Sequence, residues 1–306
     1  MICFRVIRVI FLCTLFLVGV NMGSSSACGQ SRLHTIVVDG QARSYILYSP
    51  SLPGGGKVPL MLVLHGGTGN ANHMEKIAGM DAVADAGHFI VAYPNGTGGR
   101  FSFNRNRRVW NAGSCCGRAV RQQVDDVRFI KEVISKIAGR YPIDRRRVYV
   151  AGISNGAMMA YRLACEIPDE IAAVVSVAGT LAVDNCDAAR GIPVLHIHGE
   201  RDQNVPFNGG EGTHSKSGVR HRSVPETMRL LTRSRSCSPP VERTVRGRAR
   251  ETKYRCSDGA PVELYLVLGE GHGWPEKIVS PDGGDVSTSR FIWEFVSRFS
   301  KPVGKP

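Results

Sequence analysis

Short runs of consecutive apolar residues alternate along this chain with longer amphipathic segments. The apolar runs predict buried strands at residues 59–64, 88–92, 147–151, 171–178, 193–197 and 262–268. The amphipathic segments predict helices near residues 72–86, 124–138, 155–167, 225–235 and 287–299. Strands that are apolar on both faces and separated by helices are typical of a mostly parallel sheet covered on both sides. We therefore predict an α/β fold with a central sheet between two layers of helices.

Two further strands precede this pattern. Residues 34–39 and 43–48 alternate in polarity and are joined by Asp39-Gly40, so they predict an antiparallel hairpin. No internal repeat and no linker rich in proline, glycine or serine divides the remainder, which predicts a single domain over residues 28–306. The polar, arginine-rich stretch 208–258 fits least well. We interpret it as an elaboration near the entrance to a binding site, with a mobile surface segment as the alternative.

The first 27 residues have the pattern of an export signal. Arg5 and Arg8 accompany the apolar run 9–20, and small residues follow at 24–27. The run is shorter than the roughly 20 residues of a membrane-spanning helix. Cys28 stands where a bacterial lipoprotein carries its lipid, but no leucine-like residue lies three positions earlier. We predict a secreted or periplasmic protein, membrane-bound only if Cys28 is lipidated.

Six cysteines follow Cys28, and an even number in an exported protein predicts disulfides. Cys237 with Cys256 is the first choice, because both lie in one polar segment. The adjacent Cys115 and Cys116 could reach different partners or bond to each other. Since the cysteines show no C-x-x-C spacing, a zinc site is not predicted, and we expect no metal.

The formal net charge of +13 permits a nucleic-acid ligand. However, no helix-turn-helix, stacking motif or zinc finger accompanies the arginine clusters, and export would separate the protein from nucleic acid. We therefore predict no nucleic-acid partner, and instead a solvated basic face that attracts anionic polymers of the cell surface or wall.

The pentapeptide Gly152-Ile153-Ser154-Asn155-Gly156 lies between an apolar strand and a run of strong helix formers. A serine on a sharp turn between strand and helix projects its hydroxyl from the sheet, and flanking glycines let the backbone pass without a clash. This arrangement is the nucleophile elbow of a hydrolase. The sequence therefore predicts Ser154 as a catalytic nucleophile.

A serine nucleophile needs a base, and the base needs an acid that orients it. In elbow-type hydrolases these partners follow in the order Ser, Asp or Glu, His. Asp202 and His272 each come just after an apolar strand, as such partners should. Rival acids remain, with Glu200 nearest and Asp184 and Asp187 further away. The neighbouring histidines at 196 and 198 have no third metal ligand in view, and we expect them to hold the acid loop.

Hydrolysis of an ester also needs donors for the tetrahedral oxyanion. The amide of Asn155, next to the nucleophile, supplies one. The segment 64–69, Leu-His-Gly-Gly-Thr-Gly, matches a histidine–glycine oxyanion loop, in which Gly67 or Thr68 would donate and His65 would brace the turn. No Gly-Lys-Ser/Thr follows, so it does not match a phosphate loop.

Several motifs together resemble the feruloyl esterase and polyhydroxybutyrate depolymerase-like esterases, in register from about residue 35 to 299. The matching segments are 64–68, 110–111 with 115–117, 124–127, 152–156, 198–199 with Asp202, and 271–272 with 274–275. The resemblance implies an α/β-hydrolase fold, a secreted serine esterase without a cofactor, and a triad of Ser154, Asp202 and His272.

Departures from the family bear on the substrate. Depolymerase relatives often have a cysteine where Gly67 stands, and those that attack solid polymer commonly carry a separate binding domain, which we do not find here. We therefore expect soluble or wall-attached esters, such as hydroxycinnamoyl groups on plant-wall polysaccharide, with polyhydroxybutyrate as the alternative. Trp110 and Trp274 could line an acyl pocket or pack in the core. A non-catalytic surface binding protein on a hydrolase scaffold, a peptidase and an acyltransferase also stay open.

Overall fold

The computed structural model describes residues 29–302, apart from residues 53, 100–105, 216 and 234. The predicted export signal and Cys28 lie outside the described residues. The strands, in chain order, are β1 (Gln30–Val38), β2 (Gln41–Ser49), β3 (Val58–Leu64), β4 (Ile90–Pro94), β5 (Ile143–Ile153), β6 (Ala173–Val177), β7 (Val194–Gly199), β8 (Gly210–Glu211), β9 (Arg220–His221), β10 (Val241–Val245), β11 (Ala249–Tyr254), β12 (Val262–Val267), β13 (Lys277–Val279) and β14 (Asp285–Ser287).

Ten of these strands form one sheet in the order β1-β2-β4-β3-β5-β6-β7-β12-β11-β10. The strands from β4 to β12 in this order pair in parallel. At each edge the sheet is completed by antiparallel strands, β1 with β2 on one side and β10 with β11 on the other. The short pairs β8–β9 and β13–β14 stand apart. The predicted mostly parallel sheet is confirmed, and so is the hairpin, in which Val38 pairs with Gln41.

Helices cover both faces of the sheet. They are α1 (Ala71–Ala78), α2 (Met80–Gly87), α3 (Gly117–Arg121), α4 (Asp126–Ala138), α5 (Asn155–Glu166), α6 (Val224–Thr232) and α7 (Thr288–Val296). One apolar core lies between the sheet and α4, α5 and α6. The second core lies on the opposite face, under α1, α2 and α7. Burial of apolar side chains on both faces explains why the central strands read as continuous apolar runs.

The prediction of one helix over residues 72–86 is wrong at a single point. Gly79 has φ 58° and ψ 28°, a left-handed conformation that ends α1 and precedes α2. Its amide donates to the carbonyl of Glu75, as in a common helix C-cap. Glycine adopts this conformation without steric cost, so the chain turns here although the apolar periodicity continues.

The stretch 208–258 contains the short pair β8–β9, then the helix α6, then a hairpin. Residues 241–254 form β10 and β11, which extend the central sheet, and this sheet role was not anticipated from the sequence. The hairpin is cross-linked at its base by the disulfide between Cys237 and Cys256, which is the pairing that the sequence favoured. The earlier part, with β8 and β9, lies elsewhere, beside the cavities described below.

Two further disulfides occur in the described part of the chain. Cys115 bonds to its neighbour Cys116, which was one of the two alternatives, and Cys165 bonds to Cys186. Among the described residues, no helix is both long and apolar enough to cross a membrane.

Candidate active site

The turn between β5 and α5 holds Ser154 in an unusual backbone conformation, with φ 56° and ψ −123°. A positive φ is strained for a residue with a side chain, and such strain concentrates at functional sites. The turn is held by two hydrogen bonds, from the Ser154 amide to the carbonyl of Val177 (2.8 Å) and from the Met158 amide to the Ser154 carbonyl (3.0 Å). This conformation leaves the serine side chain partly exposed at the carboxyl end of the sheet.

Both glycines of the pentapeptide are required by close backbone packing. A Cβ atom at Gly152 would lie 2.4 Å from the carbonyl oxygen of Gly156. A Cβ atom at Gly156 would lie 2.4 Å from the carbonyl oxygen of His65 and 2.5 Å from that of Leu64. The second contact shows that the elbow packs directly against the end of β3. The glycines therefore join the elbow to the loop that follows β3.

That loop carries the two residues predicted to stabilise an oxyanion. Gly67 and Thr68 both border Ser154 in the surface cavities. The Thr68 amide, however, already donates to the carbonyl of Arg108 at 2.7 Å. The Gly67 amide makes no hydrogen bond to any of the described residues. The alternative that named Thr68 as the oxyanion donor is therefore corrected, because its backbone N–H is already used. Within the described residues, the Gly67 N–H remains available to bind an oxyanion.

Asn155 has a second role that sequence reasoning missed. Because Asn155 is the first residue of α5, its backbone N–H has no hydrogen-bond acceptor within the helix. Its buried side chain accepts from the Trp110 amide (2.6 Å) and donates to the Trp110 carbonyl (3.1 Å). This two-way bond ties α5 to the chain at Trp110. The motif placed Asn155 beside the serine, but nothing local in the sequence indicated its partner 45 residues away.

The prediction of Trp110 as a pocket residue is wrong. Its side chain is completely buried, and its indole N–H donates to the carbonyl of His65 at 2.9 Å. The ring packs against the rings of His65 and Phe129. A large aromatic ring with a single polar atom satisfies that atom in the core by bonding a backbone carbonyl. Trp110 therefore supports the oxyanion loop from behind, and Trp274 alone of the two lies at the cavity.

His65 braces the same loop, as expected. Its Nε2 accepts the amide of Gly96 at 3.0 Å, and its Nδ1 lies 2.7 Å from the carbonyl of Gly66. An amide donor at Nε2 and a carbonyl acceptor at Nδ1 require the neutral tautomer with a proton on Nδ1. Burial, the largest influence, lowers the pKa of His65 to about 4. His65 is therefore an uncharged structural link between its own loop and the loop that carries Gly96.

Asp202 and His272 meet across 70 residues of sequence. The Nδ1 of His272 lies 2.7 Å from Oδ2 of Asp202. The other carboxylate oxygen accepts the amides of Asn204 and Val205, each at 2.8 Å. Burial alone would raise the pKa of Asp202, but the hydrogen bond from His272 and the amides outweigh it and hold the pKa below its usual value. Asp202 is thus an anchored carboxylate that orients one imidazole.

The rival acids are engaged elsewhere. Glu200 accepts the amide of Gly269 at 3.0 Å. Asp184 pairs with Arg222 at 2.6 Å, and the carboxylate of Asp187 lies 3.5 Å from the guanidinium of an arginine at position 233. None of the three bonds His272, whereas Asp202 does.

Two buried histidines, His196 and His198, connect the loop that carries Asp202 to the core. The Nε2 of His198 lies 2.8 Å from the carbonyl of Val205 and 3.5 Å from Oδ2 of Asp202. Its Nδ1 lies 3.1 Å from Nε2 of His196, and Nδ1 of His196 lies 2.7 Å from the hydroxyl of Tyr161. Burial lowers the pKa of both imidazoles, so both rings are neutral. The hydrogen bonds from Tyr161 to Val205 therefore all point the same way, with each ring donating from Nε2 and accepting at Nδ1.

Ser154 and His272 both border two adjacent cavities. The first, which we call the Trp274 cavity, has a volume of about 580 Å³ and is also bordered by Gly67, Ile77 and Trp274. The second, which we call the Arg107 cavity, has a volume of about 460 Å³. It extends between Arg107, the disulfide between the adjacent Cys115 and Cys116, and the strand β9, which carries His221. Both volumes are in the range of ligand-binding clefts.

The geometry thus combines a strained serine, an imidazole held by a carboxylate, and a loop amide that makes no hydrogen bond to the described residues, all at the carboxyl edge of a parallel sheet. A family model described as esterase PHB depolymerase matches residues 43–209. The chain belongs to this family. It is accordingly a serine carboxylic ester hydrolase.

Individual relatives agree with the family. The chain is 34% identical over 262 residues to NocK of Nocardia uniformis subsp. tsuyamanensis, which carries the name of an esterase; the match covers 78% of this chain and 73% of NocK. It is 28% identical over 268 residues to feruloyl esterase B of Piromyces equi, covering 85% of this chain but only 46% of that protein. Among solved structures, an acetyl xylan esterase from Aspergillus awamori superposes with a TM-score of 0.57 at 16% identity, covering 79% of this chain and 94% of that one. The structural likeness supports the α/β-hydrolase fold.

Proposed function

We propose that this protein is an exported esterase in which Ser154, His272 and Asp202 form a catalytic triad. The observation that carries the proposal is the 2.7 Å bond between Asp202 Oδ2 and His272 Nδ1, on an imidazole that borders the same cavities as Ser154. With Nδ1 bound to the carboxylate, Nε2 is the nitrogen left to take the serine proton. The apolar run at residues 9–20 and the disulfides support export.

In the proposed reaction, Ser154 Oγ attacks the ester carbonyl while His272 removes its proton. The amides of Asn155 and Gly67 stabilise the negative charge that develops on the carbonyl oxygen. His272 then gives the proton to the departing alcohol, which leaves an acyl-enzyme. Water, activated by the same imidazole, attacks the acyl-enzyme and releases the carboxylic acid. Asp202 stabilises the imidazolium in both half-reactions but keeps its own charge.

For the substrate, we propose hydroxycinnamoyl esters of plant-wall polysaccharide. The similarity to feruloyl esterase B supports this class, as does Trp274, an aromatic ring at the open cavity on which a planar acyl group or sugar can stack. The second candidate is a polyhydroxyalkanoate, which the description of the matching family favours. The early part of the basic stretch, residues 208–221, would then form part of the substrate entrance.

The test compares purified wild type, Ser154→Ala and the control Ser300→Ala on methyl ferulate and on a polyhydroxybutyrate suspension. Ferulate release by wild type and the control, lost by at least 1,000-fold in Ser154→Ala, is expected for a triad enzyme. Clearing of the suspension without ferulate release would favour the depolymerase. Full activity in pure, folded Ser154→Ala would refute the triad, and failure of an organophosphonate to label Ser154 would favour a non-catalytic binding protein.

A further inference from the structure

The Trp274 cavity and the Arg107 cavity meet at Ser154 but differ in chemistry. The Trp274 cavity is bordered by glycines, Ile77, Ile153 and Trp274, and the structure gives it no aspartate, glutamate, lysine or arginine among its described neighbours. The Arg107 cavity instead combines an apolar floor with a cationic rim. An ester has two ends, so each cavity can receive one of them when the carbonyl lies at Ser154.

The floor of the Arg107 cavity is formed by small and polarisable side chains. These are Val109, Cys115, Cys116, Met158 and Val205. Cys115 and Val205 are almost completely buried, so the floor belongs to the packed core and does not depend on a surface loop. Such a floor accommodates a short apolar group and offers it no hydrogen-bond partner.

The rim carries the positive charge. Arg107 borders the cavity, and no aspartate or glutamate does so among the described residues. His221 lies on the same rim, where burial is the main cause that lowers its pKa. The nearest carboxylate of the site, Asp202, is already bound by His272 and two amides. Among the described residues, Arg107 is thus the only Asp, Glu, Lys or Arg side chain on the border of this cavity, with His221 and serine hydroxyls as additional hydrogen-bond partners.

Arg107, which is exposed, also differs from the shielded arginines that neutralise a carboxylate of the protein itself. Three of these have carboxylate partners within 3 Å: Arg43 with Asp126, Arg222 with Asp184, and Arg235 with Asp258. Within the described residues, Arg107 forms no ion pair. A guanidinium that borders a cavity beside the nucleophile and has no carboxylate of its own is suited to bind one from a ligand, because its planar fork matches a carboxylate in two parallel hydrogen bonds.

We infer that the Arg107 cavity binds a carboxylate of the substrate. This assignment favours the second substrate candidate of the proposed function over hydroxycinnamoyl esters. The preferred substrates would then be ester acids, in which a short apolar spacer separates the scissile ester from a free carboxylate. The apolar floor receives the spacer, and Arg107 on the rim receives the charge. This inference rests on the proposed role of Ser154, and it adds a specificity-determining residue. Short hydroxy-acid oligoesters that end in a free carboxyl group have this chemistry.

The test uses a matched pair of probes, the dimer of 3-hydroxybutyrate with a free carboxylate and the same dimer capped as its methylamide. Both contain one scissile ester and differ in one charge. We expect wild type to prefer the acid about tenfold in kcat/KM, since each factor of ten corresponds to one good charge-assisted contact. Arg107→Gln should lower this ratio to about one. Raising the ionic strength should reduce the preference of wild type.

Arg121→Gln is the matched control, because it removes the same charge from an exposed position on α3 outside both cavities. The control should keep the tenfold preference. Arg107→Lys, which retains the charge but not the planar fork, should keep part of it. Thermal unfolding of each variant shows whether it is folded.

Two results would overturn the inference. One is equal turnover of acid and amide by wild type, and the other is an equal loss of preference in Arg107→Gln and Arg121→Gln, which would assign the effect to the overall positive charge. Turnover of both dimers without preference would leave the proposed esterase intact. If wild type cleaves neither the dimers nor methyl ferulate, the proposed function itself fails.

Discussion

Lowering the pH from 7 to 5 should destabilise this protein by an amount that can be traced to His65. The imidazole is completely buried, and both ring nitrogens are bound to backbone groups in a way that requires the neutral form. In the folded protein its pKa lies at about 4, whereas in the unfolded chain it returns to the ordinary value of 6.5. Between these two values the unfolded chain binds a proton that the folded protein does not.

The sign and size follow from proton linkage. Because the unfolded state takes up the proton first, stability is complete above pH 6.5, falls as the pH decreases toward about 4, and then levels off. For the step from pH 7 to pH 5, His65 alone contributes a loss of about 2 kcal/mol in the free energy of unfolding. His196 and His198 act in the same direction, since burial lowers their pKa values as well.

The assay is urea-induced unfolding of wild type, His65→Gln and the control His73→Gln at pH 7 and pH 5. Many groups titrate in this range, so the measured quantity is the difference between variants. His65→Gln should be less stable than wild type at pH 7, because its side chain cannot satisfy both backbone partners. Its deficit should shrink by about 2 kcal/mol at pH 5. His73→Gln removes an exposed imidazole and should follow wild type.

An unchanged deficit for His65→Gln at the two pH values would refute the reasoning. If that variant does not fold, an NMR titration of wild type supplies the same answer. The His65 ring signals should then show no protonation between pH 7 and pH 5.5, and a midpoint near 6.5 would contradict the assignment.

Three other substitutions test the packing. Gly156→Ala places a Cβ atom 2.4 Å from a backbone carbonyl oxygen and should cost about 3 kcal/mol in urea unfolding, whereas Gly56→Ala, with open space around it, should change stability by less than about 0.5 kcal/mol. Tyr161→Phe removes the 2.7 Å hydrogen bond to His196 and should lower the free energy of unfolding by about 2 kcal/mol by the same measurement. No change would show that this hydrogen bond does not stabilise the buried histidine pair. Asp258→Ala leaves the buried guanidinium of Arg235 without its carboxylate and should lower the free energy of unfolding by about 3 kcal/mol, a loss that thermal scans at pH 7 should also detect.

The order of elements could be predicted from the sequence because it depends on local patterns. Apolar runs on both faces predicted the parallel strands, and the Asp39-Gly40 turn predicted the hairpin that begins the sheet. The elbow was predictable for the same reason, since only glycine fits where a backbone carbonyl lies 2.4 Å from a Cβ position. The helix break at Gly79 was missed, because apolar periodicity continues through a glycine that turns the chain.

The choices that the sequence left open were decided by contacts between distant segments. Thr68 and Gly67 are equivalent as loop residues, and only the Arg108 carbonyl, 40 positions from Thr68, distinguishes them. Trp110 is an aromatic residue that could line a pocket or pack in the core. Its indole N–H can be buried because the carbonyl of His65 accepts its hydrogen bond.

The acid was settled in the same way. Several carboxylates follow the nucleophile along the chain, and the one that bonds His272 is the one that packing brings to it. The sequence by itself therefore determined the parallel strands, the first hairpin, most of the helices and the types of chemical group available for catalysis, but not the strands β10 and β11 or the helix break at Gly79. The tertiary structure decided which of those groups meet, because hydrogen-bond partners tens of residues apart are chosen by how the layers pack and by no local propensity.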